Sequence, residues 1–273
     1  MKSVFFKQKI DGPVATLTMN RPEKANGMSP DFWNELPALM RALGENTEIR
    51  ALVIAGEGKH FTGGMDLSSF NGIADLTKGE PARAAYALRN EILRLQKTLN
   101  ALEETHFPVI AAIHGACIGA GIDMISACDI RLSSNDAYFA IEEINIGMAA
   151  DVGTLQRLPK LIAPGIVKEL AYTGRRFSPQ EALNWGFVNS IHQGADQTLQ
   201  AATKLAHQIA TKSPIAITGT KRALDYARDH SVADSLDQIA TWNAGMLRPE
   251  ELMTAIQAKM AKKEAIFKDL MLG

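Results

Sequence analysis

The sequence predicts an α/β fold whose strands are mostly parallel and buried on both faces. Three features carry that expectation. Short continuous apolar runs, ALVIAG at 51–56 and PVIAAI at 108–113, are bounded by turn residues and read as buried strands. Segments of helical period alternate with them along the first two thirds of the chain. From about residue 196 the strand signals stop, and capped helical segments follow one another. The expected division is a core over 1–195 and a C-terminal helical oligomerisation region over 196–273.

The elements follow in order. VFFKQKI and VATLTMN flank Asp11-Gly12-Pro13, alternation around a turn that predicts a β-hairpin. Ser29-Pro30-Asp31 opens a helix with a cap, a first-turn proline and an acid at the positive end. That helix should reach about Leu43, with a kink or local break at Pro37. After the strand at 51–56 comes the glycine-bearing loop GEGKHFTGGMDL. A polar stretch punctuated by Gly and Pro, 71–82, reads as loop, and a long helix as running to about Glu104. PVIAAI is the second buried strand, GACIGAG the turn after it, IDMISAC a helix, and DIRLSS and AYFAI short strands.

Composition limits the function. Of 273 residues, 46% are hydrophobic, enough for a sizeable core. Lys plus Arg is 29 and Asp plus Glu is 30, a net charge of −1 that excludes a broad polyanion-binding surface. Cys117 and Cys128 sit in one apolar stretch at a spacing that fits no zinc or redox motif, so they read as reduced core thiols. The opening MKSVFFKQKIDG carries neither a secretory nor a transit pattern, and DLMLG is no peroxisomal tripeptide. The expected location is therefore cytoplasmic. The longest apolar stretch, 108–128, is interrupted by His114, Asp123 and glycines and reads as strand, turn and helix rather than as a membrane span.

Candidate chemistry sits in two glycine loops and one acidic stretch. FTGGMDL and CIGAGID each follow a buried strand and each precede an acid. Glycine permits positive φ and close backbone approach, and a helix start supplies free N–H donors. Two such donors aimed at one oxygen form an oxyanion hole, although Gly-rich turns after strands are also common structural features. AIEEINIGMAADVGTLQRLPK, 140–160, places Glu142, Glu143 and Asp151 among apolar residues. Buried carboxylates need a partner, a hydrogen bond or a proton. Glu142 reads as a solvated loop residue. Asp123 reads either as a site acid or as a capping or salt-bridged acid with Arg131 as partner. Asp151 reads either as a site acid or as the N-cap of the helix that follows it. No H-E-x-x-H pattern or Ser/His/Asp arrangement is visible.

HFTGGMDL and CIGAGIDMISACDIR, together with NRPEKANGMSPDFW and TGRRFSPQEALNWGFVNSI, resemble the crotonase superfamily, the enoyl-CoA hydratase/isomerase family, over nearly the whole chain. AADVGTLQRLPK and DHSVADSLDQIATWNAGML resemble its Δ3,5-Δ2,4-dienoyl-CoA isomerase subgroup. The resemblance implies the crotonase fold, a spiral of ββα units followed by a helical oligomerisation region, and trimers often paired into hexamers. It implies an acyl-CoA thioester substrate and no metal or redox cofactor; the net charge and the interrupted apolar stretch lead us to expect no nucleic-acid or membrane partner. The oxyanion-hole N–H groups map to Met65 and Ala120, in a loop pair where smaller residues are common. The acids map to Asp123, to Glu143 twenty positions later, and to Asp151, a position that hydratases generally leave without an acid. Lys24, Ala25, Gly63, Gly64, Asp66 and Leu67 map to substrate and CoA contacts. Phe267 and Lys268 map to an aromatic-basic pair often supplied by a neighbouring subunit.

The implied reaction moves a proton from C2 to C6 of a 3,5-dienoyl-CoA through a thioester enolate held by the two N–H donors. Asp151 is then the base at C2, Glu143 the acid at C6, and Asp123 an auxiliary acid; the Asp151 and Glu143 roles can also be exchanged. The apolar neighbours Ile144, Ile146, Met148 and Val152 would dry the pocket and raise the carboxyl pKa values. The alternatives are an enoyl-CoA hydratase or other crotonase on a different acyl chain, and a non-catalytic crotonase-fold binding protein. Asp151 argues against the first and the net charge of −1 against an RNA-binding form of the second.

Overall fold

Gly12, at φ +55°, turns the chain between β1 (Phe6–Asp11) and β2 (Val14–Met19), which pair antiparallel as the turn signal predicts. The computed structural model describes residues 3–76 and 78–271, without the side chains of Leu67, Phe70, Asn71, Ile73 and Ala74. Every further pairing in the main sheet is parallel. β3 (Ala51–Gly56), β4 (Val109–Ile113), β6 (Ile130–Ser134) and β8 (Ser190–His192) extend it in the order β1-β2-β3-β4-β6-β8. The short strands β5 (Ala116–Ile118) and β7 (Tyr138–Ala140) form a second, parallel ribbon. Single bridges Met28–Met65, Thr62–Cys117 and Phe139–Phe177 continue that ribbon on both sides. The chain thus alternates between two layers as it winds.

The sheet's two faces sort by the strand period of two. Leu52, Ile54, Val109, Ala111 and Ile113 face the larger core, with the aromatic cluster of Phe5, Phe32 and Trp33. Ala51, Val53, Ile110 and Leu132 face the other way, against Ala202, Ala206 and Ala210 of α8 (Gly194–Ala210). The helical region after residue 196 therefore begins with a helix that covers the sheet. α9 (Pro214–Asp229), α10 (Val232–Met246) and α11 (Pro249–Met260) follow it.

Helix α1 (Pro30–Glu45) begins at the expected Pro30, but the buried Ser29 hydroxyl makes no cap bond. It also runs through Pro37 without the local break, one of the two outcomes expected there. A proline cannot donate to the carbonyl four residues earlier, here that of Trp33. The Thr98 hydroxyl of α3 (Pro81–Glu103) lies 3.2 Å from the Trp33 oxygen and 3.2 Å from Arg94 O, so its one hydrogen is shared between them. Two further expectations are corrected. The stretch read as a loop from 71 onward begins inside a helix, α2 (Leu67–Leu76), opened by Asp66, whose carboxylate accepts the Ser68 N–H at 2.8 Å. GACIGAG is not all turn: Ala116–Ile118 pair with β7 as β5, and on the other side Thr62 N–H donates to Ala116 O and Ile118 N–H to Thr62 O.

α4 (Ala120–Ser126) follows β5, a 3-10 turn spans Glu143–Ile146, and α5 (Thr154–Leu161), α6 (Pro164–Thr173) and α7 (Pro179–Asn184) lead to β8. The 108–128 stretch divides into β4, β5 and α4, and among the described residues no helix is long and apolar enough to cross a membrane. Cys117 and Cys128 are free and buried, and burial pushes the Cys128 thiol up to about 12 and that of Cys117 well above its usual range.

Candidate active site

The loops after β3 and β5 meet at one end of the sheet. In the first, Met28 N–H donates to Gly64 O at 2.8 Å and Asp66 N–H donates to Met28 O at 3.2 Å. This parallel bridge uses the residues on either side of Met65, so the Met65 N–H points away from Met28. Gly64 adopts φ +85°. A Cβ there would lie 2.8 Å from Ile118 O and 3.6 Å from the Ala120 nitrogen, so only glycine lets the loops come this close. In the second loop Gly119, at φ +53°, donates to Ala140 O at 3.0 Å, and α4 starts at Ala120. A first-turn N–H has no acceptor within its helix. Among the described residues neither Met65 nor Ala120 donates its N–H to a backbone acceptor. Both residues line a cavity of about 640 Å³.

Asp123, Glu143 and Asp151 line the same cavity. Asp123 projects from the first turn of α4, is 1% exposed, and accepts the Thr154 N–H at 2.5 Å through Oδ1. It therefore receives the first N–H of α5, the task that the capping alternative gave to Asp151. Gly153, not Asp151, occupies the N-cap position. Of the structural alternatives for Asp123, capping is the one realised and the Arg131 pair is not: that guanidinium donates to the carbonyls of Phe187, Ile125 and Cys128. Burial lifts the Asp123 carboxyl to about 6, against the pull of Thr154. Burial, then the charge of Asp123, lifts Glu143 to about 7. Its Oε2 is buried without a partner, and its Oε1 lies 3.5 Å from where a Gly119 Cβ would sit. Asp151 is half-buried, and burial raises its carboxyl too. A dry site with several carboxyls favours protonation of some of them.

The remaining predicted residues divide by place. Glu142 also lines the cavity, and Asn145 donates to its Oε2 at 2.8 Å. Ile146, Met148 and Val152 line the cavity and Ile144 does not; Ile144 and Ile146 are both exposed, so only Met148 and Val152 help to dry the site. The opposite wall is Leu88, Ile92 and Leu95 of α3, which the sequence reading missed. Their spacing of four and three, one helix face, was the available signal. Lys24 is exposed at the end of the 3-10 turn Pro22–Lys24, beside Ala25, whose carbonyl accepts the Gly63 N–H at 2.7 Å. Buried Asn26 ties this segment down: Nδ2 donates to Glu57 O and His60 O, and Oδ1 accepts the Arg21 N–H. Asp66 is engaged by Arg21 at 3.1 Å and by Ser68. Leu67 opens α2, and its side chain lies outside the described residues.

Phe267 and Lys268 are elsewhere. The Phe267 carbonyl accepts from Arg50 at 2.7 Å, and Asp269 pairs with the same guanidinium. Arg50 precedes β3, while the glycine loop follows it, so about 20 Å of strand separates the two.

Residues 9–269 match the family described as Enoyl-CoA hydratase/isomerase. The chain belongs to the enoyl-CoA hydratase/isomerase family. The "Delta(3,5)-Delta(2,4)-dienoyl-CoA isomerase, mitochondrial" of Rattus norvegicus is 46% identical over 254 residues, 92% of this chain and 78% of that protein. The "Delta(3,5)-Delta(2,4)-dienoyl-CoA isomerase, peroxisomal" of Arabidopsis thaliana is 41% identical over 97% of this chain and 96% of its own length. The crystal structure of an enoyl-CoA hydratase from Bacillus anthracis superposes with a TM-score of 0.87 at 27% identity, covering 97% of this chain and 99% of that one. The fold of this family member is thus the crotonase fold. The expected cytoplasmic location is overturned, because these relatives are named mitochondrial and peroxisomal. Reduced buried thiols separate reducing from oxidising compartments and do not separate the cytosol from an organelle matrix.

Proposed function

We propose that this enzyme is an acyl-CoA isomerase that converts 3,5-dienoyl-CoA to 2,4-dienoyl-CoA. One observation carries the reading within the family: Asp123 takes the first N–H of α5, which leaves the Asp151 carboxyl without a capping task at the cavity wall. A hydration that passes one water between two acids has no evident task for this third one. The substrate class is supported by the relatives named dienoyl-CoA isomerase at 41–46% identity. The neighbour titled enoyl-CoA hydratase is 27% identical.

In this proposal the thioester oxygen lies between the N–H groups of Met65 and Ala120. Asp151, ionised, takes a proton from C2. The electron pair spreads over the conjugated trienolate, and its charge at the thioester oxygen is met by the two donors, each worth about 10²–10³ in rate. Glu143, protonated, delivers a proton to C6, and the double bonds settle at C2 and C4. Glu143, raised to about 7, suits the acid and the less buried Asp151 suits the base. Asp123 holds α5 in place and adds to the charge that keeps Glu143 protonated. The exposed Lys24 and the Ala25–Gly63 contact form the candidate mouth for the CoA moiety, and no separate cofactor is needed.

Asp151→Asn and Glu143→Gln test the assignment. Each is expected to lower turnover by about two orders of magnitude or more while the circular-dichroism spectrum is unchanged. Near-wild-type isomerase rates in both variants would contradict it.

A further inference from the structure

The segment from Asp151 to Arg157 is gripped by one stripe of α3. Gln96, Asn100 and Glu103 follow one another at spacings of four and three, so they lie on one helix face. Gln96 Nε2 donates to the Asp151 carbonyl at 2.7 Å. Arg157 Nη2 donates to Asn100 Oδ1 at 2.7 Å and to Glu103 Oε2 at 2.6 Å. The Arg157 guanidinium in turn covers the backbone just after Asp151. A Cβ at Gly153, which adopts φ +141°, would lie 2.0 Å from Nη1. Burial alone would raise the Glu103 carboxyl, but Arg157 and Arg228 hold it below its usual range, so this end of the stripe stays charged and anchored.

We propose that Gln96, Asn100 and Glu103 form a positioning ladder that sets the main chain of Asp151, and through it the placement of the base in the cavity. The ladder touches no substrate. Asp151 precedes α5 by three residues, in a stretch where Gly153 has unusual backbone freedom, so its carboxyl position depends on what clamps its own peptide. Gln96 clamps the carbonyl, Asp123 clamps the Thr154 N–H, and Arg157 closes over Gly153. The same helix carries Leu88, Ile92 and Leu95, so the acyl wall and the clamp on the base move as one body.

The inference rests on the dienoyl-isomerase reading, and its test is built to separate the two. Gln96→Leu keeps the bulk and removes the donor. It is expected to lower kcat on a 3,5-dienoyl-CoA by about 10- to 100-fold, the range for a displaced reacting group, while KM stays within about two-fold. In an Asp151→Asn background the same substitution should change the residual rate by less than about two-fold, because a group acting through Asp151 has nothing left to act on. Asn100→Leu loosens Arg157 without touching the Asp151 carbonyl, and it should repeat the pattern in smaller degree. It decides the matter if Gln96→Leu does not fold. If the ladder variants keep wild-type kcat, or lower the rate by the same factor with and without the Asp151 carboxyl, the ladder is only a structural contact and the proposal falls. If instead Asp151→Asn alone leaves the isomerase rate unchanged, it is the underlying functional reading that fails.

Discussion

Glu143 binds its proton more tightly in the folded protein, near 7, than at the usual 4.5 of an unfolded chain. The folded state therefore holds an extra proton between those values, and stability falls as pH rises through that window. Asp123, lifted to about 6, acts in the same direction. Glu143→Gln has no charge to bury. It should gain on the order of 2 kcal/mol over wild type at pH 8 and nothing near pH 4, read from urea melts at the two values. The same proton governs the proposed chemistry: the isomerase rate should decline as pH passes about 7, where Glu143 loses the proton it donates. An equal stability difference at both values would place Glu143 outside the dry site. At this scale the three acids were legible as residues because each stands in a small-residue, apolar context. Their partners were not. Asp151 looked like a cap because it lies next to the helix, but the capping carboxylate comes from Asp123, far away in sequence. Local spacing cannot show which of two distant acids folding brings to a helix end.

The elements were legible wherever one periodicity ran uninterrupted. β3, β4 and the opening hairpin are where the apolar runs and the Asp11-Gly12-Pro13 turn put them. β5 was hidden because its three residues lie inside a glycine run and become a strand only by pairing with β7, with one further bridge to Thr62. α1 runs through Pro37, and the freed carbonyl of Trp33 faces the Thr98 hydroxyl of a helix beginning fifty residues later, a contact that α1's own residues cannot announce. The glycine loops carry the prediction that belongs to this scale. Gly64→Ala forces a Cβ against Ile118 O at a backbone angle that disfavours side chains, which would push the two N–H donors apart. Turnover should drop by about 10² or more, the cost of one lost oxyanion donor, with the protein still folded. A folded Gly64→Ala variant at wild-type rate would remove the loop pair from the proposed chemistry.

The whole molecule leaves apolar side chains in water on its last helices. Val232, Leu236, Leu252, Met253, Ile256 and Met260 are all exposed in the single chain. An apolar set of this size on two successive helices is a candidate for cover by a partner. The tail points the same way. Phe267 and Lys268 are fastened near Arg50, at the end of β3 remote from the chain's own glycine loops, so any service to an acyl-CoA site is to another copy. We expect light scattering to give three or six chain masses, and Lys268→Glu to raise KM for the thioester several-fold in the assembled protein while kcat holds. A fully active monomer would contradict both. The sequence announced a helical C-terminal third, but it could not show that α8 covers the sheet while the later helices leave apolar faces open. That distinction depends on which face of each helix finds a neighbour.

The central claim is that three acids and two backbone donors in one cavity move a proton from C2 to C6. It is tested most directly by an ultraviolet assay of the purified protein on a 3,5-dienoyl-CoA and, in parallel, on a 2-enoyl-CoA of equal chain length. The account predicts a rise in 2,4-dienoyl-thioester absorbance with the first substrate and little change with the second. Loss of enoyl-thioester absorbance in the second, with the diene untouched, would make the enzyme a hydratase and contradict it.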